Sequence, residues 1–280
     1  MPPASKDEAA AEVGSTEPVA VVIGIGDYDN DTIADRPQAI DNAAHVVRFL
    51  KTDVGIEGDR ILTGRNATLS HFEDIFGKPG EAKGELRDVL KKTKTPEVIV
   101  YYAGRAKALD GGSDVLLLPA DADPGKPETG VRLSALYDQL AAMGISKLRV
   151  YLDPAFVPGE EVVEVAAGPR IGLFGLFTPG DWVTLSAASD DAAVPDDKDR
   201  PRSRFTESLV AGLRGIADTT GEGDGDGTIS AKELHEFTRD QAAAAAKRGE
   251  KVPVPSFYGP PGEALRAYRP GREPCPSCSQ

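Results

Sequence analysis

Thiol chemistry is almost absent from this chain: of 280 residues only Cys275 and Cys278 are cysteine, and both lie in the last six positions. The body of the protein therefore holds neither a disulfide nor a thiol nucleophile of its own. Histidine is nearly as scarce, at His45, His71 and His235, and all three fall in stretches with helical spacing. No apolar run approaches the roughly 20 residues that a bilayer-spanning helix needs. The opening "MPPASKDEAAAEVGSTEP" has neither the basic n-region nor the apolar h-region of a secretory signal. Basic charge is also short: 32 Lys and Arg against 45 Asp and Glu give a formal net charge of −13. No basic stripe offsets that excess, which argues against a nucleic-acid backbone or an anionic membrane surface as partner. The expectation is a cytoplasmic protein whose partners are proteins, peptides or cations.

What is present is an alternation of strands and helices. Residues 1–17 read as a disordered leader, without sustained apolar period. "PVAVVIGIGDY" is a continuous apolar run ended by glycines, which suits a strand buried on both faces of a parallel sheet. "RPQAIDNAAHVVRFLKTDVG" then places Ile40, Ala43, Ala44, Val47 and Leu50 at helical spacing, with Gly55 as the stop. The pattern repeats through "RILTG", a helix opening at Thr68 or Ser70, and a second helix in "GELRDVLKKT". "PEVIVYYAG", the helix "SALYDQLAAMG", the strands "KLRVYLD" and "WVTLSA" and the helix "FTESLVAGLRG" follow. Such alternation predicts an α/β domain over residues 18–250, with a mostly parallel sheet covered by helices on both sides. Ligands of such sheets sit beyond the carboxyl ends of the strands, here "YYAGRA" and "YLDPAFVPG". Between those ends, "DVLLLPADADP" reads as a hairpin-like excursion. Residues 251–280 read as an irregular Pro- and Gly-rich tail carrying "CPSC", half of a zinc-ribbon-like set where zinc normally takes four ligands.

Four stretches, "VVIGIGDYDN" with "AIDNAAHVVRFL", "EVIVYYAGRA", "DVLLLPADADP" and "KLRVYLDPAFVPG", resemble in order and spacing the caspase-like peptidases of the metacaspase and orthocaspase group. The resemblance spans roughly residues 18–250. It implies a caspase-hemoglobinase-like three-layer sandwich with a mostly parallel six-stranded sheet. In active members the third strand ends in Tyr-Ser/Ala-Gly-His-Gly and the fourth in Asp-x-Cys before a small Ser-Gly turn. Carried over by position, the catalytic histidine falls on Arg105, the glycine after it on Ala106, and the catalytic cysteine on Ala155. Val157 and Pro158 stand in place of the small turn. A methyl group cannot attack a carbonyl, and a guanidinium whose pKa lies above about 12 cannot take a proton. The resemblance therefore implies an inactive homologue, a pseudo-orthocaspase, that binds a protein or peptide.

The resemblance also implies a carboxylate for a basic P1 side chain at Asp153. Adjacent parallel strands end side by side, so Arg105 and Asp153 are candidates for a charge-assisted pair that plugs the cleft. The alternative is two separately solvated side chains.

A further pattern lies in "EGDGDGTISAKE", residues 222–233, which fits a twelve-position calcium loop. Glu222 takes position 1, Asp224 position 3, Asp226 position 5, Gly227 the turn, Thr228 position 7 and Glu233 position 12. A hard cation needs several oxygens around a tight turn closed by a bidentate carboxylate, and position 1 is normally Asp rather than Glu. Ca²⁺ and a structural acidic turn both remain open. Two other functions stay in view: a calcium-responsive structural module, and an active hydrolase that needs no cysteine.

Overall fold

The computed structural model describes residues 17–109, 114–157, 181–187, 200–250 and 252–267. Residues 1–16, Pro158, most of the acidic run before Arg200, and Cys275 with Cys278 lie outside the described residues.

β1 (Val19–Gly24) is buried at every position, as a continuous apolar run between two neighbours requires. It pairs in parallel with β2 (Ile61–Arg65) on one side and β3 (Glu97–Leu109) on the other. β6 (Lys147–Phe156) and β7 (Asp181–Ser186) continue the parallel sheet. β9 (Ser256–Tyr258) closes its edge antiparallel to β7. The order is β2-β1-β3-β6-β7-β9, and β4 (Asp114–Leu117) and β5 (Val131–Arg132) extend it from β3 to eight strands.

α2 (Leu69–Phe76), α3 (Glu85–Thr93) and α4 (Leu133–Ala141) cover one face, where Phe72, Phe76, Leu86, Tyr102, Leu140 and Trp182 form a core. α1 (Gln38–Phe49), α5 (Arg204–Ala211), the single turn α6 (Ala217–Thr219) and α7 (Ala231–Lys247) cover the other, around Phe49, Tyr101, Tyr151, Leu209 and Leu234. The three-layer α/β sandwich expected from the sequence is the architecture observed. Local chemistry opens the helices. Thr68 caps α2, accepting the His71 N–H, and Ser203 caps α5, accepting that of Thr206.

Three expectations need correction. The fully buried positions of α1 are Ala39, Asn42, Val46 and Phe49; of the residues expected at helical spacing, Leu50 is buried just past the helix, Ala43 and Val47 pack in part against the core, and Ile40 and Ala44 do not belong to it. A polar residue belongs to that buried set because its amide nitrogen and oxygen are both hydrogen-bonded, as described below. Secondly, β3 and β6 do not end at "YYAG" and "YLD". β3 runs on to Leu109 because the returning β4 (Asp114–Leu117) supplies antiparallel partners for Ala106 to Leu109. Thirdly, the irregular tail expected from residue 251 holds β9 and β10 (Ala264–Ala267) within its described part. β10 pairs antiparallel with β8 (Thr228–Ser230) and carries the domain past residue 250.

Gly24 allows the close seating of α1 on β1: a Cβ there would lie 2.7 Å from both the Ala39 carbonyl oxygen and the Ala43 methyl. Successive strands leave β1 in opposite directions, to β2 on one side and β3 on the other, which makes the carboxyl end of β1/β3 the switch point of the sheet.

Candidate functional site

The crevice at that switch point is occupied by the chain's own side chains. Arg36, two residues before α1, is 4% exposed, and Asp153 on β6 is 2% exposed. Arg36 Nη2 donates to Asp153 Oδ1 at 2.9 Å, and Nη1 donates to the Asp153 carbonyl. The other carboxylate oxygen accepts from Asn42 Nδ2 at 3.0 Å, from Thr206 Oγ1 at 2.7 Å and from the Ser203 hydroxyl. Asn42 Oδ1 in turn accepts the Ser203 N–H at 2.9 Å, so every polar atom of this buried amide has a partner. Removing two charges from water costs several kcal/mol per ion, and only such complete pairing offsets it. Asp153 is the point at which the loop after β1, helix α1, the start of α5 and strand β6 are tied together. Tyr101 lies beneath it, its hydroxyl 2.6 Å from Thr206 Oγ1 and its pKa pushed well up by burial and by the Asp153 charge.

The expected Arg105–Asp153 pair is not what forms. Asp153 is the register partner of Ala103, whereas Arg105 is that of Ala155. Arg105 therefore starts two residues, about 6.6 Å, further up the sheet, and the Asp153 carboxylate is already filled by Arg36, Asn42, Ser203 and Thr206. The Arg105 side chain instead donates to the carbonyls of Ala34 at 2.8 Å and Asp35 at 3.0 Å, the two residues preceding Arg36. Arg105 thus holds the loop that delivers Arg36. Its own N–H donates to the hydroxyl of Tyr28, whose pKa burial pushes up to about 12. Gly104 keeps the backbone close here, since a Cβ would come within 2.6 Å of the Tyr102 hydroxyl.

Arg105 and Ala155 lie opposite one another on neighbouring strands, on the same face as Asp153, because side chains alternate with period two. Ala155 is 7% exposed, and the Val157 N–H donates to the Ala106 carbonyl at 2.8 Å. None of the histidines reaches this crevice. His45 lies on α1, His71 on α2 and His235 on α7, where its ring stacks on Phe257 at 5.6 Å. A cavity of about 470 Å³ opens elsewhere, between α2 and α4, lined among others by Phe72, Phe76, Val131 and Leu136.

In the acidic loop the structure brings together Asp218, Asp224 and Asp226, one carboxylate oxygen of each lying within 4.8 Å of the others. Asp218, fully buried at the end of α6, accepts the N–H groups of Gly225 at 2.9 Å, Asp226 at 3.2 Å and Gly227 at 3.1 Å. The expected first ligand, Glu222, is exposed and lies 3.9 Å from Lys232. Asp218 instead enters the loop from the preceding helix and fills the corner to which residues 225–227 point their amides. Glu233 is engaged in a capping box, accepting from the N–H and hydroxyl of Ser230 at 2.8 Å and from the Asp224 N–H at 3.1 Å. Thr228 enters β8 and pairs with β10.

Sequence reasoning missed Arg36, Ser203, Thr206 and Asp218. One signal was present, an asparagine at position 42 in a helix that is otherwise apolar on the side facing the sheet. No protein-family model matches the chain, and no curated protein matches it significantly in sequence. Among solved structures, caspase-1 from Spodoptera frugiperda superposes with a TM-score of 0.54 at 12% identity, covering 90% of this chain and 88% of that one. The chain has a caspase-like fold.

Proposed function

We propose that this is a non-catalytic caspase-fold protein, located in the cytoplasm, which acts by binding a protein or peptide. The observation that carries the reading is the buried Arg36–Asp153 pair. The chain's own guanidinium occupies the carboxylate that the sequence resemblance assigns to a substrate's basic side chain. The resemblance further assigns the catalytic histidine and cysteine to Arg105 and Ala155, neither of which can act as base or nucleophile. Losing a nucleophile or base costs on the order of 10⁶-fold in turnover in a well-studied serine protease.

The protein is accordingly expected to leave Arg- and Lys-containing fluorogenic peptides uncleaved, at the buffer rate, with or without calcium. Turnover that co-purifies with the chain and survives peptidase inhibitors of other classes would overturn the reading. Because Arg36 neutralises Asp153, partner recognition should show no preference for basic segments on a peptide array.

A second reading, a calcium-responsive module, is favoured by the Asp218–Asp224–Asp226 cluster. Three hard oxygen ligands around glycine turns suit Ca²⁺, which would be held by those three residues. Calcium at 100 times its dissociation constant should then stabilise the fold by about 2.7 kcal/mol. In thermal unfolding, Asp218→Asn should abolish the gain and Glu222→Gln should leave it intact. A chain whose melting temperature ignores millimolar calcium would sink this second reading.

A further inference from the structure

A second cavity, of about 300 Å³, opens where α3 ends and the chain leaves α4. Pro96 and Ile145, just ahead of β3 and β6, line it, so it lies at the end of the sheet opposite the Arg36–Asp153 pair. Its charged lining residues are Arg87, Lys91 and Lys94, and no acid is among the described residues that line it. In a chain with a formal net charge of −13, a cavity walled by cations alone runs against the composition. Leu90, Met143 and Ile145, all packed in the core or against it, give the cavity an apolar wall.

Spacings of four and then three residues bring Arg87, Lys91 and Lys94 to one side of α3. The fold does little to neutralise them. Arg87 Nη2 donates to the Ala142 carbonyl at 3.1 Å, which fixes the guanidinium at the end of α4, while its Nε is shut off from solvent without a hydrogen-bond partner among the described residues. Such unpartnered buried donors are rare in native folds. Lys91 lies 3.8 Å from Asp88, but both side chains are mostly exposed, and a pair so solvated leaves the charge available. The Lys94 ammonium has neither a hydrogen bond nor an ion pair among the described residues. Lys94 also closes α3 at φ 54° and ψ 25°, the left-handed conformation that glycine takes most easily. A lysine there costs stability that a glycine would not, and it sets an ammonium group on the cavity wall. The negative end of the α3 dipole accounts for Lys91 and Lys92 in the last turn. It does not account for Arg87, the third residue of the helix.

We propose that Arg87, Lys91 and Lys94 bind the phosphate of a small organic phosphate monoester, whose apolar body lies against Leu90, Met143 and Ile145. A phosphate monoester carries nearly two negative charges at neutral pH and three acceptor oxygens. One arginine fork and two mobile ammonium groups match both, whereas a carboxylate brings a single charge to three cations. The volume falls at the lower end of the roughly 300–1,000 Å³ typical of small-molecule sites. The site shares no residue with the filled crevice, and it stands or falls separately from the peptide-binding reading above.

The test titrates the full chain by calorimetry with phenyl phosphate, inorganic phosphate and benzoate, each at an ionic strength held constant with chloride. Phenyl phosphate is expected to bind saturably, one to one, and more tightly than either of the others. R87Q and K94Q should each weaken it about tenfold, the value of a hydrogen bond to a charged group. K92Q makes the same change of charge on the same helix but outside the cavity lining, and should bind as the parent does. K94G should lose binding like K94Q and yet melt higher than the parent, because glycine relieves the left-handed residue. Lys94 is exposed, so its variants carry the test if R87Q does not fold. No saturable binding above the chloride control would overturn the proposal. So would benzoate or inorganic phosphate binding as tightly as phenyl phosphate, K92Q weakening binding as much as K94Q, or unchanged binding in K94Q or K94G.

Discussion

Asp153→Ala is expected to destabilise the protein by about 3–5 kcal/mol, the cost of breaking a buried ion pair from one side. The substitution removes the acceptor of Arg36, Asn42, Ser203 and Thr206 together, and leaves a guanidinium buried at 4% exposure without the Asp153 carboxylate. Urea unfolding should show a lower midpoint at an unchanged m-value. The double substitution Arg36→Met with Asp153→Leu should recover much of the loss, because two apolar side chains carry no desolvation penalty and can fill similar space. A midpoint for Asp153→Ala within 0.5 kcal/mol of the parent, by the same extrapolation, would mean that these contacts are incidental.

The second large effect concerns turnover. Arg105→His with Ala155→Cys would set an imidazole and a thiol on register-paired residues of adjacent strands, on one face of the sheet. That double substitution is expected to stay at the buffer rate on Arg- and Lys-containing peptides, since Arg36 still fills the carboxylate that the sequence resemblance assigns to their basic side chain. Adding Arg36→Ala frees Asp153, and cleavage should then rise about 10²-fold or more over the double variant, the range set by an available buried charge partner. Free arginine should compete with the peptide and raise the melting temperature of the triple variant by mass action. Equal rates in double and triple variants would show that Arg36 does not obstruct the crevice. Arg105→His also removes the two hydrogen bonds to Ala34 and Asp35, so the single substitution serves as control for loosening of the loop.

The two arginines show where sequence reading stops. Arg105 is conspicuous because it interrupts a recognisable strand ending. Arg36 sits in a polar loop, "DRPQAIDN", that carries no periodic signal. Which of them reaches Asp153 depends on the height of each along the sheet and on the path of the loop after β1. The same holds in the acidic loop, where counting twelve positions from Glu222 is correct as a pattern. Asp218 takes the corner only because α6 ends beside the amides of residues 225–227. It holds also for β10, a short run that becomes a strand only because β8 offers it an edge.

By itself the sequence determined the alternating elements, the parallel character of the central strands and the absence of any thiol from the body of the protein. Those properties follow from local composition and from apolar spacing of period 2 or 3.6, which each segment carries within itself. The tertiary structure alone decided that Arg36 rather than Arg105 neutralises Asp153, that Asn42 is buried, and that Asp218 rather than Glu222 lies beside Asp224 and Asp226. Those outcomes are tertiary pairings between residues 117, 111 and 7 to 9 positions apart, and they depend on strand register and loop path, which no periodic pattern encodes.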